Sequence, residues 1–134
     1  MMSTPTTDFL TGLFNHRKLR SDFASALRRS KQRAFIMADL DEFKRVNDMY
    51  GHVVGDTVIV RVAKTFADKC VASSGCLGPY RIGGESFCAI LTDVDAELAV
   101  EFAESLRVGV EQIRVDAHPE LRATGRFAVV TAPP

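Results

Sequence analysis

The chain has 134 residues, 46% of them hydrophobic and 25% charged, which is the size and make-up of one folded domain and excludes a disordered segment. Its 17 Lys and Arg balance its 17 Asp and Glu, so bulk electrostatic attraction to nucleic acid or to an anionic membrane is excluded and only local patches remain. No apolar run approaches the roughly 18 residues of a membrane span, and residues 1–8 lack the apolar centre of a signal peptide. A cytoplasmic, soluble chain is expected, with no membrane segment and no nucleic acid as partner.

In chain order, Leu19, Phe23, Ala26 and Leu27 recur at helical spacing among Arg and Lys, and predict an amphipathic helix over 15–30. The basic run Arg28, Arg29, Ser30, Lys31, Gln32 and Arg33 closes it as a solvated face that complements the helix dipole. Residues 34–40 form an apolar run that reads as a strand buried on both faces. Charge and turn formers, including Asn47, Gly51 and Gly55, fill 41–56. A second helix is expected over 56–70, with Val58, Ile59, Val62, Ala63 and Phe66 on one stripe and Asp56 as N-cap.

Two strand-like runs, 77–82 and 87–91, flank Gly83-Gly84-Glu85-Ser86, which predicts a tight hairpin whose glycines take positive φ. A third helix over 96–110 carries Leu98, Phe102, Ala103, Leu106 and Val110, and a last strand covers 126–131 before Ala132-Pro133-Pro134. This order predicts an α+β or α/β domain with helices on a mixed sheet. Cys70, Cys76 and Cys88 fit no common zinc or redox spacing and are expected as free thiols. Asp39, Asp41 and Glu85 fall where loops leave strands; if the hairpin pairs with the first strand, they converge at one end of the sheet. Oxygen ligands of that kind suit magnesium, though solvated turn residues look the same.

The residues themselves say more than their spacing. Asp8-Phe9-Leu10-Thr11-Gly12-Leu13-Phe14-Asn15 resembles the D-x-L-T-G-L-x-N opening of GGDEF domains, the bacterial diguanylate cyclases and their inactive relatives. The stretch from Asp39 to Asp56 resembles their D-x-D-x-F-K-x-[IV]-N-D-x-[YF]-G-H-x-x-G-D segment, and Arg81-Ile82-Gly83-Gly84-Glu85-Ser86-Phe87 resembles the signature hairpin. The resemblance implies a nucleotidyl cyclase-like α+β fold over 1–134, a central, mostly antiparallel sheet surrounded by helices. It also implies a reaction in which two GTP, one on each of two protomers, condense to cyclic di-GMP and two pyrophosphates. Carried over by position, Asp39 and Glu85 hold magnesium, or manganese in its place, through their carboxylates, and Leu40 through its carbonyl. Lys44 and Glu85 fall in the catalytic set. Asn47 and Asp56 read the guanine edge, where an amide and a carboxylate pair with its donor and acceptor atoms. His52 and Phe43 stand beside the nucleotide, although Phe43 and Tyr50 also suit core packing. A guanine nucleotide and either a second copy or a signalling domain are the implied partners.

Three departures shape the functional expectation. Glu85 is followed by Ser86 where the family carries a second acid, and a neutral hydroxyl cannot replace that charge. The R-x-x-D product-inhibition tetrad falls on Ser74, Gly75, Cys76 and Leu77, which have neither the arginine nor the aspartate. Ala123-Thr124-Gly125-Arg126-Phe127-Ala128 is a degraded form of the strand V-T-x-S-x-G, and no helix like A-D-x-A-L-Y-x-A-K, with its triphosphate-gripping lysine, follows it. The expectation is a degenerate, poorly catalytic or non-catalytic GGDEF domain that keeps GTP- and magnesium-binding residues as a regulatory or nucleotide-sensing module. The alternatives are an active cyclase or a fragment of one, and a purely structural or dimerisation domain.

Overall fold

Alternation along one strand decides which way the sheet faces. In β1 (Arg33–Leu40), Ala34, Ile36, Ala38 and Leu40 are buried, while Phe35, Met37 and Asp39 point the other way, toward the less covered side, as the two-residue period of a pleated strand requires. The computed structural model describes residues 5–29 and 31–132; residues 1–4, Ser30 of the basic run, Pro133 and Pro134 lie outside the described residues. The remaining elements are α1 (His16–Arg29), α2 (Phe43–Tyr50), α3 (His52–Val71), β2 (Cys76–Arg81), β3 (Ser86–Thr92), α4 (Ala96–Glu111) and β4 (Gly125–Ala132). The sheet order is β2-β3-β1-β4 with every pairing antiparallel, so the α+β reading holds and the expectation of a mixed sheet is corrected.

The main core lies between one face of the sheet and α3 and α4. The stripe Val58, Ile59, Val62, Ala63 and Phe66 is buried as its spacing predicts, and Phe66 stacks on Phe87 at 5.4 Å. In α4, Ala103, Leu106 and Val110 are buried, but Leu98 is 53% exposed and Ala99 takes the inward position. The opposite face carries a smaller cluster, Ala26, Tyr80, Cys88 and Ile90, beneath α1. Only Ala26 of the α1 stripe is fully buried, while Phe23 and Leu27 stay 45% and 48% exposed, because α1 covers only part of that face.

Four local expectations are corrected. Residues 43–50, expected as turn, form α2: Phe43, Val46 and Tyr50 recur at i, i+3 and i+7 and pack on the core, a short stripe masked by the charged residues between them. Helix α3 starts at His52 after Gly51, whose φ of 91° breaks α2 from α3, so Asp56 sits in the second turn and is not an N-cap. The glycines of the hairpin do not adopt positive φ, which falls instead on Gly12, Gly51, Gly75 and Gly78; the Ile82 N–H donates to the Ser86 carbonyl at 2.9 Å and closes a three-residue loop. At Gly78, φ is 100° and a Cβ would run into the Tyr80 ring, so that position needs glycine. Finally, Cys70 and Cys76 form a disulfide, with Cα atoms 5.4 Å apart, across the turn from α3 into β2. Only Cys88 is a free thiol, buried and pushed up to about 12 by that burial, which keeps it unreactive.

The opening motif acts as a clamp on β2. Asn15 accepts at Oδ1 from the Arg17 and Lys18 N–H groups at 3.0 and 3.3 Å, capping α1. Phe14 exchanges backbone bonds with Pro79 and Arg81, at 3.2 and 2.8 Å. The Arg81 guanidinium donates to Asp8 at 3.1 Å and to the Gly84 carbonyl at 2.8 Å, joining the chain start to the hairpin. Burial pushes the Asp8 carboxyl up, but the hydroxyl and N–H of Thr11 and the Arg81 charge outweigh it and hold it below the ordinary carboxylate value.

Two outcomes follow from these contacts. Because its folded value is lowered, Asp8 contributes stability that is complete above its unfolded value near 4 and is lost as pH falls through the folded value. Asp8→Asn should therefore cost about 2 kcal/mol at neutral pH, with the gap from wild type closing on acidification below about pH 4; urea titrations across pH measure it. The disulfide closes a short loop, so reduction should cost about 2 kcal/mol. The Cys70→Ser/Cys76→Ser protein should unfold at the same denaturant midpoint as the reduced wild type, and below the oxidised one.

Candidate nucleotide and metal site

The acidic end of the sheet is set by strand register. Asp39 pairs with Ser86 on β3 and with Arg126 on β4, so Arg126, Asp39 and Ser86 form one row on the face that α1 only partly covers. The Leu40 N–H donates to the Glu85 carbonyl at 3.1 Å, which brings the hairpin loop beside the end of β1. The chain segments bearing Asp39, Leu40 and Glu85 thus meet, as the strand pairing anticipated. The Ser86 hydroxyl donates to Asp39 Oδ1 in a short hydrogen bond. Gly83 and Gly84 shape the loop, and Phe87, fully buried in β3, fixes its far side in the core.

Asp41 does not join them. Its N–H donates to the Thr124 carbonyl at 2.8 Å, and its carboxylate accepts from the Thr124 hydroxyl at 2.9 Å. Among the described residues no three His, Cys, Asp or Glu side chains gather as a metal cage. The donors present are the carboxylates of Asp39 and Glu85 and the Leu40 carbonyl. They fit magnesium in kind, since that ion usually takes one or two protein carboxylates and fills the rest of its shell with water and phosphate. The Ser86 hydroxyl already occupies one Asp39 oxygen.

The other half of the site lies on α2 and α3. Lys44 is exposed in the first turn of α2, and Phe43 packs against the core, as its type suggested. A Cβ on Gly55 would overlap Asn47 Oδ1, so the bare glycine lets the Asn47 amide lie against α3, one residue from Asp56. His52, the first residue of α3, and Asp56 are exposed, and Asp56 borders a shallow hollow with Val53, Thr57 and Val60. A separate cleft of about 200 Å³ between α2 and residues 120–124 is lined by Arg45, Tyr50, Glu120 and Arg122 and includes none of these site residues.

Sequence reasoning passed over two contributors. Arg81 was quoted only as part of the hairpin pattern, yet it ties Gly84 to Asp8. Arg126 reads in the sequence only as the first residue of the last strand and part of its degraded motif, yet it is the cross-strand neighbour of Asp39. The strand register that reveals it needs β4 to lie beside β1, which no local pattern states.

The chain is 37% identical over 108 residues to the diguanylate cyclase VdcA of Vibrio cholerae, covering 81% of this chain and 31% of that protein. It is 33% identical over 123 residues to the diguanylate cyclase DgcN of Escherichia coli, covering 88% of this chain and 29% of that one. The chain thus spans about a third of the length of the curated relatives it matches. Among solved structures, the GGDEF domain of DgcB from Caulobacter crescentus, in complex with c-di-GMP, superposes with a TM-score of 0.87 at 25% identity, covering 100% of this chain and 81% of that one. The diguanylate cyclase SiaD of Pseudomonas aeruginosa, in complex with its activator SiaC, gives a TM-score of 0.85 at 32% identity over 93% of this chain and 49% of that one. The family profile for the diguanylate cyclase GGDEF domain matches residues 5–132, and with that match the chain belongs to the GGDEF domain family.

Proposed function

We propose that this chain is a GGDEF domain of bacterial cyclic di-GMP signalling that binds a guanine nucleotide and makes little or no cyclic di-GMP, acting as a cytoplasmic regulatory or nucleotide-sensing module. The observation that carries this reading is the Ser86 hydroxyl seated on the Asp39 carboxylate. Where the family carries a second acid after Glu85, this chain has a neutral donor that draws on the Asp39 carboxylate instead. Magnesium, or manganese in its place, would be held by Asp39, Glu85 and the Leu40 carbonyl, and when bound it neutralises charge on the phosphates. The chain's own groups do the remainder: Lys44 approaches the phosphates, while Asn47 and Asp56 pair with the guanine edge. Regulation through a second copy or a partner protein accords with the complex that SiaD forms with its activator.

A second reading, a working diguanylate cyclase, draws on the 37% identity to a relative of that name. The two separate on one assay. Incubation with GTP and magnesium should yield at least a hundredfold less cyclic di-GMP than an intact family member gives, since losing one preorganised charge in such a site costs roughly that much. Turnover matching the intact member would establish the second reading.

Binding is expected to survive the loss of turnover. Calorimetric titration should show GTP preferred over ATP, because a site built for one base edge leaves its polar groups unpaired with the other. Asp56→Asn should erode that preference by about tenfold or more. Since Asp56 is not the cap of α3, thermal unfolding of the variant should stay within about 0.5 kcal/mol of wild type. Equal response to both nucleotides, or to neither, would leave a structural or dimerisation domain.

A further inference from the structure

We propose that Arg126 is a built-in counter-ion at the acidic end of the sheet, one that meets the phosphates of the bound nucleotide and makes binding largely independent of divalent metal. This rests on the guanine-nucleotide reading above and adds to it the source of charge at the phosphate end.

The row Arg126–Asp39–Ser86 comes from register alone, and directly paired residues on neighbouring antiparallel strands carry their Cβ atoms about 4.5–5.5 Å apart. Arg126 is exposed and has no side-chain partner among the described residues. Asp39 takes a proton donor from Ser86 on the other side, so no tight ion pair holds the guanidinium back. The residues behind the row are Met37, Ala128 and Cys88, none of which offers a charge to either side chain. Arg126 thus sets one permanent positive charge directly across from Asp39, on the strand opposite the one that carries Ser86. A divalent cation held by Asp39 meets a permanent positive charge on the neighbouring strand. A phosphate oxygen meets a planar guanidinium with several donors, a group suited to bidentate phosphate binding that stays charged at every accessible pH. Together the free guanidinium and the engaged carboxylate weaken the hold on a cation and add a donor for a phosphate oxygen.

The test uses the intact chain, with Arg126→Gln to remove the charge and Arg126→Lys to keep it. Titration with Mn²⁺ alone, followed by electron paramagnetic resonance, should show Arg126→Gln binding about tenfold tighter than wild type, as a unit charge near 5 Å in a largely aqueous setting predicts, and Arg126→Lys close to wild type. Titration with GTP should show wild-type affinity changing less than about threefold between magnesium and EDTA, while Arg126→Gln loses about tenfold in EDTA and regains part of it in magnesium. Equal Mn²⁺ affinity in wild type and Arg126→Gln, or wild-type GTP binding abolished by EDTA, would overturn the proposal. If no protein binds GTP under either condition, the guanine-nucleotide reading falls, and the phosphate role of Arg126 falls with it, whatever the Mn²⁺ titration gives.

Discussion

The register between β1 and β3 is the constraint on which the acidic end of the sheet depends. Asp39 stands opposite Ser86 because Ala38 pairs with Phe87 and Ile36 with Ala89, all buried on the α3 and α4 side. A slip by one residue would turn that apolar set outward and bury Asp39. The cost of exposing Ile36 and Phe87, at roughly 1.5–3 kcal/mol each, is far greater than anything a single exposed hydrogen bond at the site can return. The core therefore dictates the site, and the site has no means to adjust the core.

A second constraint keeps the hairpin loop where the register sends it. Arg81 ends β2 and reaches both Gly84 in the loop and Asp8 at the chain start, while Phe14 bonds to the backbone of β2 on either side of Tyr80. Tyr80 is itself fully buried and donates to Asp22 at 2.6 Å, which also pairs with Lys18 at 3.0 Å. Burial and that carboxylate push the Tyr80 hydroxyl well above its ordinary value, so it stays a neutral donor at any working pH. The motif Asp8–Asn15 thus has a mechanical part: it pins α1 and the hairpin to one edge strand.

Much of this was legible in the residues, for reasons that differ by element. The α3 stripe was readable because a long helix repeats its signal, and β1 because its apolar run is bounded by charge. The eight residues of α2 hid their stripe under Lys44, Arg45 and Asp48, and a helix that short leaves periodicity little to work with. The start of α3 was misplaced because Asp56 looks like a cap, whereas the break comes from backbone geometry at Gly51, which leaves no periodic trace. The disulfide escaped because a spacing of six matches no motif and only the turn from α3 into β2 brings Cys70 and Cys76 together. The residues proposed for the nucleotide came from family resemblance. The Arg126–Asp39 neighbourhood came from strand order, which sequence patterns do not carry.

The corner between β1 and α2 links the two halves of the site. Asp41 is fastened to Thr124 by both its backbone and its side chain. Glu42 then turns into the left-handed region, at φ 49° and ψ 36°, before Phe43 opens α2. A non-glycine residue there costs about 1–2 kcal/mol, and the double tie of Asp41 together with the packing of Phe43 on the core holds it in place. The same fastening sets the start of β4, and Arg126 follows Thr124 by two residues, on the strand face that meets Asp39. Lys44 leaves the corner on α2 and Arg126 on β4, so a single tied turn positions both cations. Asp41, the acid that looked like a third metal ligand, is used to hold cations in place.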